Sequence, residues 1–190
     1  MHYIFDMGNV LSRNVDVLPS IAGELGVSAS DIVSFAGNDF DGLTVGAATP
    51  EEFWAAFNER FGTRVREDLL ATHFRPVQDP RVEELIRTLQ RRGSRVVCGT
   101  NTFAGHYRIH MEGGDYRVFH RVYASHLMGV AKPDPEFFRR ILREESWRPE
   151  EVTFVDDMAK NVEAAAGLGI HAILYRDYPE LAARLLDNRG

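Results

Sequence analysis

Asp6, Thr100-Asn101, Lys132 and Asp156-Asp157 are the groups in this 190-residue chain whose types could act on a substrate. They offer carboxylates that can attack an electrophile or hold a metal, a hydroxyl and an amide that can hold a bound group, and a compact positive charge. Each has an ordinary reading when taken alone. Asp6-Met7-Gly8-Asn9 could be a turn, Thr100 a helix cap and Lys132 an exposed loop lysine. Their setting argues otherwise, because each stands at or just after a short apolar run.

Those runs are the elements that must position the groups. Tyr3-Ile4-Phe5 reads as a buried strand that delivers Asp6 at its carboxyl end. Arg95–Cys98, Arg121–Ala124, Val152–Val155 and His171–Tyr175 read as four more strands. Helical patterns alternate with them: Val82, Leu85, Ile86 and Leu89 after Asp79-Pro80, a weaker stretch to His110, Phe138, Ile141 and Leu142 after Pro135, and Asn161–Leu168. This alternation predicts an α/β fold, a doubly wound parallel sheet in three α/β/α layers. All strand carboxyl ends of such a sheet lie on one edge, so groups about 150 residues apart in sequence should converge there. Three carboxylates brought together cannot all stay ionised beside one lysine. Mg²⁺, a hard cation with oxygen ligands, would balance them.

Between the first strand and Asp79 the pattern is helical. Val17, Leu18, Ile21 and Leu25 recur at helical spacing; Ser28 can cap a second, short helix with Ile32 and Phe35. Gly37–Thr49 reads as a glycine-rich connection, and Thr49-Pro50-Glu51-Glu52 as a capped helix start for Trp54, Phe57 and Phe61. Val65–Phe74 reads as one more amphipathic segment. The expected organisation is a core of residues 1–13 and 79–190, with a helical cap over 14–78 that closes on hinges near Leu11–Asn14 and Phe74–Asp79.

A hydrophobic fraction of 44% and a charged fraction of 26% suit a globular chain, and the net charge of -6 argues against nucleic acid as a partner. The single cysteine, Cys98, lies in an apolar run and reads as a small buried hydrophobe. No apolar stretch reaches membrane-spanning length and no signal peptide is visible, so a cytoplasmic monomer or homodimer acting on a small phosphorylated metabolite is the expectation.

The order Asp6-x-Gly8-Asn9, Thr100-Asn101, Lys132-Pro133 and Asp156-Asp157 with Asn161 resembles the four motifs of the haloacid dehalogenase superfamily, most of whose members are phosphatases. The resemblance spans nearly the whole chain, including a helical cap after the first motif. It implies that Asp6 forms an aspartyl-phosphate and that Thr100, with Asn101, holds the transferring phosphoryl group. It implies too that Lys132 neutralises charge there. Mg²⁺ would be held by Asp6, the Gly8 carbonyl, Asp156 and Asp157, with Asp157 in direct contact.

One position departs from that family's pattern. Most of its phosphatases carry a second aspartate, the general acid and base, where this chain has Gly8. The loss matters least for an acidic leaving group, and the Asp-x-Gly-Asn form resembles the α-D-glucose-1-phosphate phosphatase branch, which makes a hexose 1-phosphate the leading substrate. Alternatively Asp39, Asp41, His106 or His110 supplies the proton, with Asp41 and His106 also expected to touch substrate. Two other classes stay open: a 2-haloacid dehalogenase, which needs no Mg²⁺, and a non-catalytic member that binds a phosphorylated ligand.

Overall fold

The architecture is seen in a computed structural model, which describes residues 1–186, without the side chains of 36–39. In chain order, β1 (His2–Phe5) leads through a turn to β2 (Ser12–Arg13) and then to helices α1 (Leu18–Leu25), α2 (Ala29–Val45), α3 (Pro50–Phe61) and α4 (Leu69–Thr72). The chain returns as β3 (Val77–Gln78) and alternates: α5 (Pro80–Arg91), β4 (Val96–Thr100), α6 (Ala104–Gly113), β5 (Val122–Ala124), α7 (Ser125–Met128), α8 (Pro135–Glu145), β6 (Val152–Asp156), α9 (Ala159–Ala166), β7 (His171–Leu174) and α10 (Tyr178–Leu186). Among the described residues no helix is long and apolar enough to cross a membrane.

Five strands form one parallel sheet in the order β5-β4-β1-β6-β7, so β1 is central and Asp6 leaves the middle of the carboxyl edge. The expected doubly wound sheet is the one observed. Period-two alternation sends Tyr3, Phe5 and Met7 to one face, against Val82, Leu85, Ile86 and Leu89 of α5 and Leu181 and Leu185 of α10. Ile4, Val97 and Phe154 point to the other face, against Phe137, Phe138 and Ile141 of α8 and Ala165 of α9. Burying each large apolar side chain stabilises the fold by roughly 1.5–3 kcal/mol, which is why helices must cover both faces. Gly99 is required in β4 by this packing: a Cβ there would lie 2.7 Å from Ile4 Cγ2 and 3.3 Å from Phe137 Cε1.

Helices α1–α4 pack around a third, aromatic cluster that includes Ile21, Ile32, Leu43, Phe53, Trp54, Phe57 and Phe74. Phe35 makes edge-on contacts with Phe53, Phe57 and Phe61. The Thr49 capping box starts α3 as the sequence predicts.

Two local expectations are corrected, and the two chain crossings prove to be paired. The stretch read as a glycine-rich connection is helical as far as Val45, because Ile32, Phe35, Phe40 and Leu43 keep facing this cluster and outweigh the roughly 1 kcal/mol that a helical glycine costs. Val65–Phe74 forms only the four-residue α4. The two chain crossings read as hinges are tied together: β2 and β3 pair antiparallel, Ser12 with Gln78 and Arg13 with Val77. Asp79 N donates to Leu11 O at 2.8 Å and Asn14 Nδ2 to Arg75 O at 2.7 Å, extending the clasp.

Candidate active site

Asp6 leaves β1 with its N–H donating to Val155 O at 2.9 Å, a continuation of the sheet that fixes where its carboxylate emerges. Its neighbours across the edge are the ends of β4 and β6, which bring Thr100 and Asp156 beside it. Lys132 comes from the loop between α7 and α8 and is only 3% exposed. Its Nζ lies 2.8 Å from Asp6 Oδ1 and 2.6 Å from Asp156 Oδ2, and donates to Gly99 O at 2.8 Å. All three ammonium hydrogens are thereby used.

The loop is held by Asn101. Its side-chain Nδ2 donates to Lys132 O at 2.8 Å and its Oδ1 accepts from Lys132 N at 2.8 Å, so both ends of the amide position the lysine. Thr100 is buried, and its hydroxyl makes only a long 3.4 Å contact to Asn101 O. Asp156 is fully buried and fully used: Oδ1 accepts from Met158 N at 2.8 Å and Asn161 Nδ2 at 2.9 Å, and Oδ2 accepts from Lys132 and Asn161. Asp157 is half-buried, with Oδ2 accepting from Asn9 Nδ2 at 2.9 Å. Asn9 adopts a left-handed φ of 55°, a conformation that asparagine tolerates. Position 8 is different: a Cβ there would meet only Val15 Cγ2, at 3.8 Å, so packing does not demand a glycine.

Asp6, Asp156 and Asp157 each bring a carboxylate oxygen within 4.8 Å of the others. One ammonium does not balance three carboxylates in a buried site. Burial, opposed by Lys132 and reinforced by Asp156, pushes the Asp6 carboxyl up to about 6. Burial likewise raises the Asp157 carboxyl. For Lys132, burial pulls the ammonium down, but the two carboxylates outweigh it and hold its pKa above the ordinary value. An all-oxygen donor set with excess negative charge fits a hard divalent cation such as Mg²⁺. Asp156 is already saturated, so Asp6 and Asp157 have the oxygens left to hold it.

A cavity of ≈ 730 Å³ opens beside Lys132, lined by Asp41 and Thr44 of α2, Asn101 and Thr102 after β4, Asp134 and Lys160. His106 also reaches it, but its Nε2 lies 2.8 Å from Leu70 O and its ring stacks on Phe74 with centroids 3.7 Å apart. Burial pushes its pKa down to about 4, so it is a neutral wall of the cavity at pH 7. Asp41 is exposed on the cavity, whereas His110 is buried with Nδ1 2.7 Å from Asp115 Oδ2. The Asp39 side chain lies outside the described residues. The sequence assigns no role to Asn9 and Asn161, and the Gly99 carbonyl and Lys160 emerge only from the structure. For Asn161 the signal was its place one turn into the helix after Asp156; a backbone carbonyl leaves no signal.

Comparison with known proteins supplies the family. A family model for haloacid dehalogenase-like hydrolases matches residues 1–169. The chain is 34% identical over 116 residues to mouse (Mus musculus) acyl-CoA dehydrogenase family member 10, covering 58% of this chain and 10% of that protein. It thus spans about a tenth of that relative's length. The sesquiterpene phosphatase astK of Aspergillus oryzae is 28% identical over 177 residues, 88% of this chain and 85% of its own. Among solved structures, a HAD family enzyme of Bacteroides thetaiotaomicron in complex with magnesium and inorganic phosphate superposes with a TM-score of 0.74 at 25% identity, covering 95% of this chain and 98% of that one.

Proposed function

The chain belongs to the haloacid dehalogenase-like hydrolases, and from that premise we propose that it is a Mg²⁺-dependent phosphatase that takes the phosphoryl group of a small phosphomonoester onto Asp6. The observation that carries this reading is the ion cluster at the sheet edge: Asp6 aimed by Lys132, Lys132 aimed by Asp156, and a second open carboxylate in Asp157. Magnesium beside phosphate in the Bacteroides enzyme, and the phosphatase name of the Aspergillus relative, support it.

The residues divide the work as follows. The Asp6 oxygen turned away from Lys132 attacks phosphorus; its O–P bond forms as the P–O bond to the leaving group breaks and the electron pair passes to the leaving oxygen. Thr100, whose hydroxyl has no short partner, turns to a phosphoryl oxygen and donates to it. Lys132 keeps Asp6 ionised and oriented, and Asn101 keeps Lys132 in place. Water then cleaves the aspartyl-phosphate and restores Asp6. Asp6, Asp157 and the Gly8 carbonyl would hold Mg²⁺, with Asp156 acting through Lys132; when bound, the ion neutralises carboxylate and phosphoryl charge. Residues 14–78 serve as a cap that narrows access to the edge. Gly8 offers no proton to the departing oxygen, which favours an acidic leaving group such as a sugar 1-phosphate, and the polar cavity beside Lys132 suits a hydroxylated one.

The test is phosphate release from sugar 1-phosphates, sugar 6-phosphates, farnesyl phosphate and acetyl phosphate, with and without Mg²⁺. Turnover that needs Mg²⁺, disappears in Asp6→Asn and follows leaving-group acidity supports the reading. Release that survives Asp6→Asn refutes the assignment of the nucleophile.

A further inference from the structure

Lys132 and Lys160 are the only lysines among 22 basic residues; every other cation in the chain is an arginine. Both line the same cavity. A chain that uses arginine for its ion pairs on helix faces, as at Arg87–Glu83, Arg143–Glu136 and Arg184–Glu180, places lysine only where a compact, freely turning charge faces this space. The work of Lys132 is plain from its three bonds. That of Lys160 is not.

Three observations show that Lys160 is not placed for stability. It lies in the first turn of α9, where the helix dipole disfavours a cation and where no acidic residue stands in the first turn. Two carboxylates, Asp41 and Asp134, line the same cavity, yet among the described residues Lys160 has no carboxylate within 4.0 Å. Asp134 is exposed but engaged, its Oδ1 accepting from Glu136 N at 2.8 Å as the cap of α8. Lys160 is exposed, so its ammonium is open to solvent and to the cavity. A local cost without a local partner points to a ligand.

Lys132 is already neutralised by Asp6 and Asp156, so among the described residues Lys160 is the lysine of this cavity whose charge is unspent. We propose that Lys160 binds a second anionic group, a carboxylate or second phosphate, carried by the leaving group of the substrate, and thereby selects phosphomonoesters with two anionic ends. This deepens, and rests on, the phosphatase reading of the same site.

Matched substrate pairs test it with the purified full chain. One pair is 3-phosphoglycerate against glycerol 3-phosphate, which differ by a carboxylate; the other is glucose 1,6-bisphosphate against glucose 1-phosphate, which differ by a phosphate. The wild-type protein is expected to favour the doubly anionic member of at least one pair by roughly ten- to a hundredfold in kcat/KM, the range of a charge-assisted hydrogen bond. Which pair shows the preference identifies the second anion. Lys160→Met should erase it mainly through KM, Lys160→Arg should retain part of it, and Lys160→Glu should invert it. A lysine that merely stabilised α9 would not give inversion. Equal kcat/KM within each pair, or equal losses on both members in Lys160→Met, overturns the proposal. The Asp6→Asn control keeps the two readings apart: release that persists in Asp6→Asn defeats the phosphatase reading, whereas release that needs Asp6 without any preference between pair members defeats only the role of Lys160.

Discussion

Two buried ion clusters flank the first loop of the chain, and they are built in opposite senses. At the sheet edge a buried cation, Lys132, is shared by carboxylates, and Asp157 adds a further negative charge. Beside the β2–β3 pair a buried carboxylate, Asp79, is shared by two arginines: Arg81 grips both oxygens at 3.0 and 2.7 Å, and Arg13 adds a bond at 2.9 Å. Asp79 also caps α5 through Arg81 N. The second cluster is complete, and hydrogen bonds from Arg81 hold its carboxyl well below the usual carboxylate range. The first sets three carboxylates against one ammonium, and its central carboxyl is pushed up to about 6, chiefly by burial. The difference separates an ion cluster whose charges are matched from one that keeps an excess of negative charge, the arrangement expected of a ligand-binding site.

The comparison can be broken most directly at its two centres. Lys132→Met is expected to reduce phosphate release by roughly a thousandfold or more. It should also destabilise the protein by about 3–5 kcal/mol at pH 7, because two buried carboxylates lose their counter-charge. Denaturant titration and phosphate assay check the two effects separately. Asp79→Asn should cost less, about 1–3 kcal/mol, since its arginines are more than half exposed and can turn to water. Its phosphate release per folded molecule should stay within about twofold of wild type. A large catalytic loss there would contradict the division into holding and acting clusters.

Gly8→Asp sharpens the contrast by adding a carboxylate to the negative cluster, where the Cβ has room. Turnover of alkyl phosphates, which are poor leaving groups, should rise by roughly tenfold, while acetyl phosphate should change little. The smallest effect is a slope. The folded pKa of Asp6 exceeds its unfolded value near 4, so the folded state binds more protons between about pH 4 and 6 and stability falls as pH rises through that window. The slope contributed is at most about 1.4 kcal/mol per pH unit, and the stability difference between wild type and Asp6→Asn should show it. Asp79 has the opposite sign: its depressed pKa stabilises the protein above about pH 4, and that contribution is lost on further acidification. Mg²⁺ should accordingly raise Tm more at pH 7 than at pH 5, where it competes with protons for Asp6. An equal rise at both pH values would place the ion elsewhere.

The sheet and its reacting edge could be read from the chain because burial on both faces forces near-continuous apolar runs such as Tyr3-Ile4-Phe5 and Val152–Val155, and polar residues stand out at their ends. Elements that depend on partners distant in sequence could not. The continuation of α2 past Gly37 is decided by the tertiary burial of Leu43, and β2 and β3 are two residues each and pair only when the chain has already folded. Helices α7 and α10 differ in legibility: α7 is a single turn with little signal, while the Leu181–Leu185 spacing of α10 is readable in the sequence. At the site the residue types were readable but their bonds were not. Asn101 reads as a substrate ligand, and the bonds that its side-chain amide makes to the Lys132 backbone leave no mark in the sequence.

The short β2–β3 ladder sets the two ends of the inserted helices side by side, one strand spacing apart. Such a junction works as a socket. Chain seated there closes on itself at a loop-entropy cost that grows only slowly with its length, and the sheet below does not register how much has been added. Inserts of other sizes can therefore be grafted between Arg13 and Val77 while Asp6 keeps its place, and on the proposed reading of 14–78 as a cap, selectivity can be exchanged as a cassette without rebuilding the chemistry.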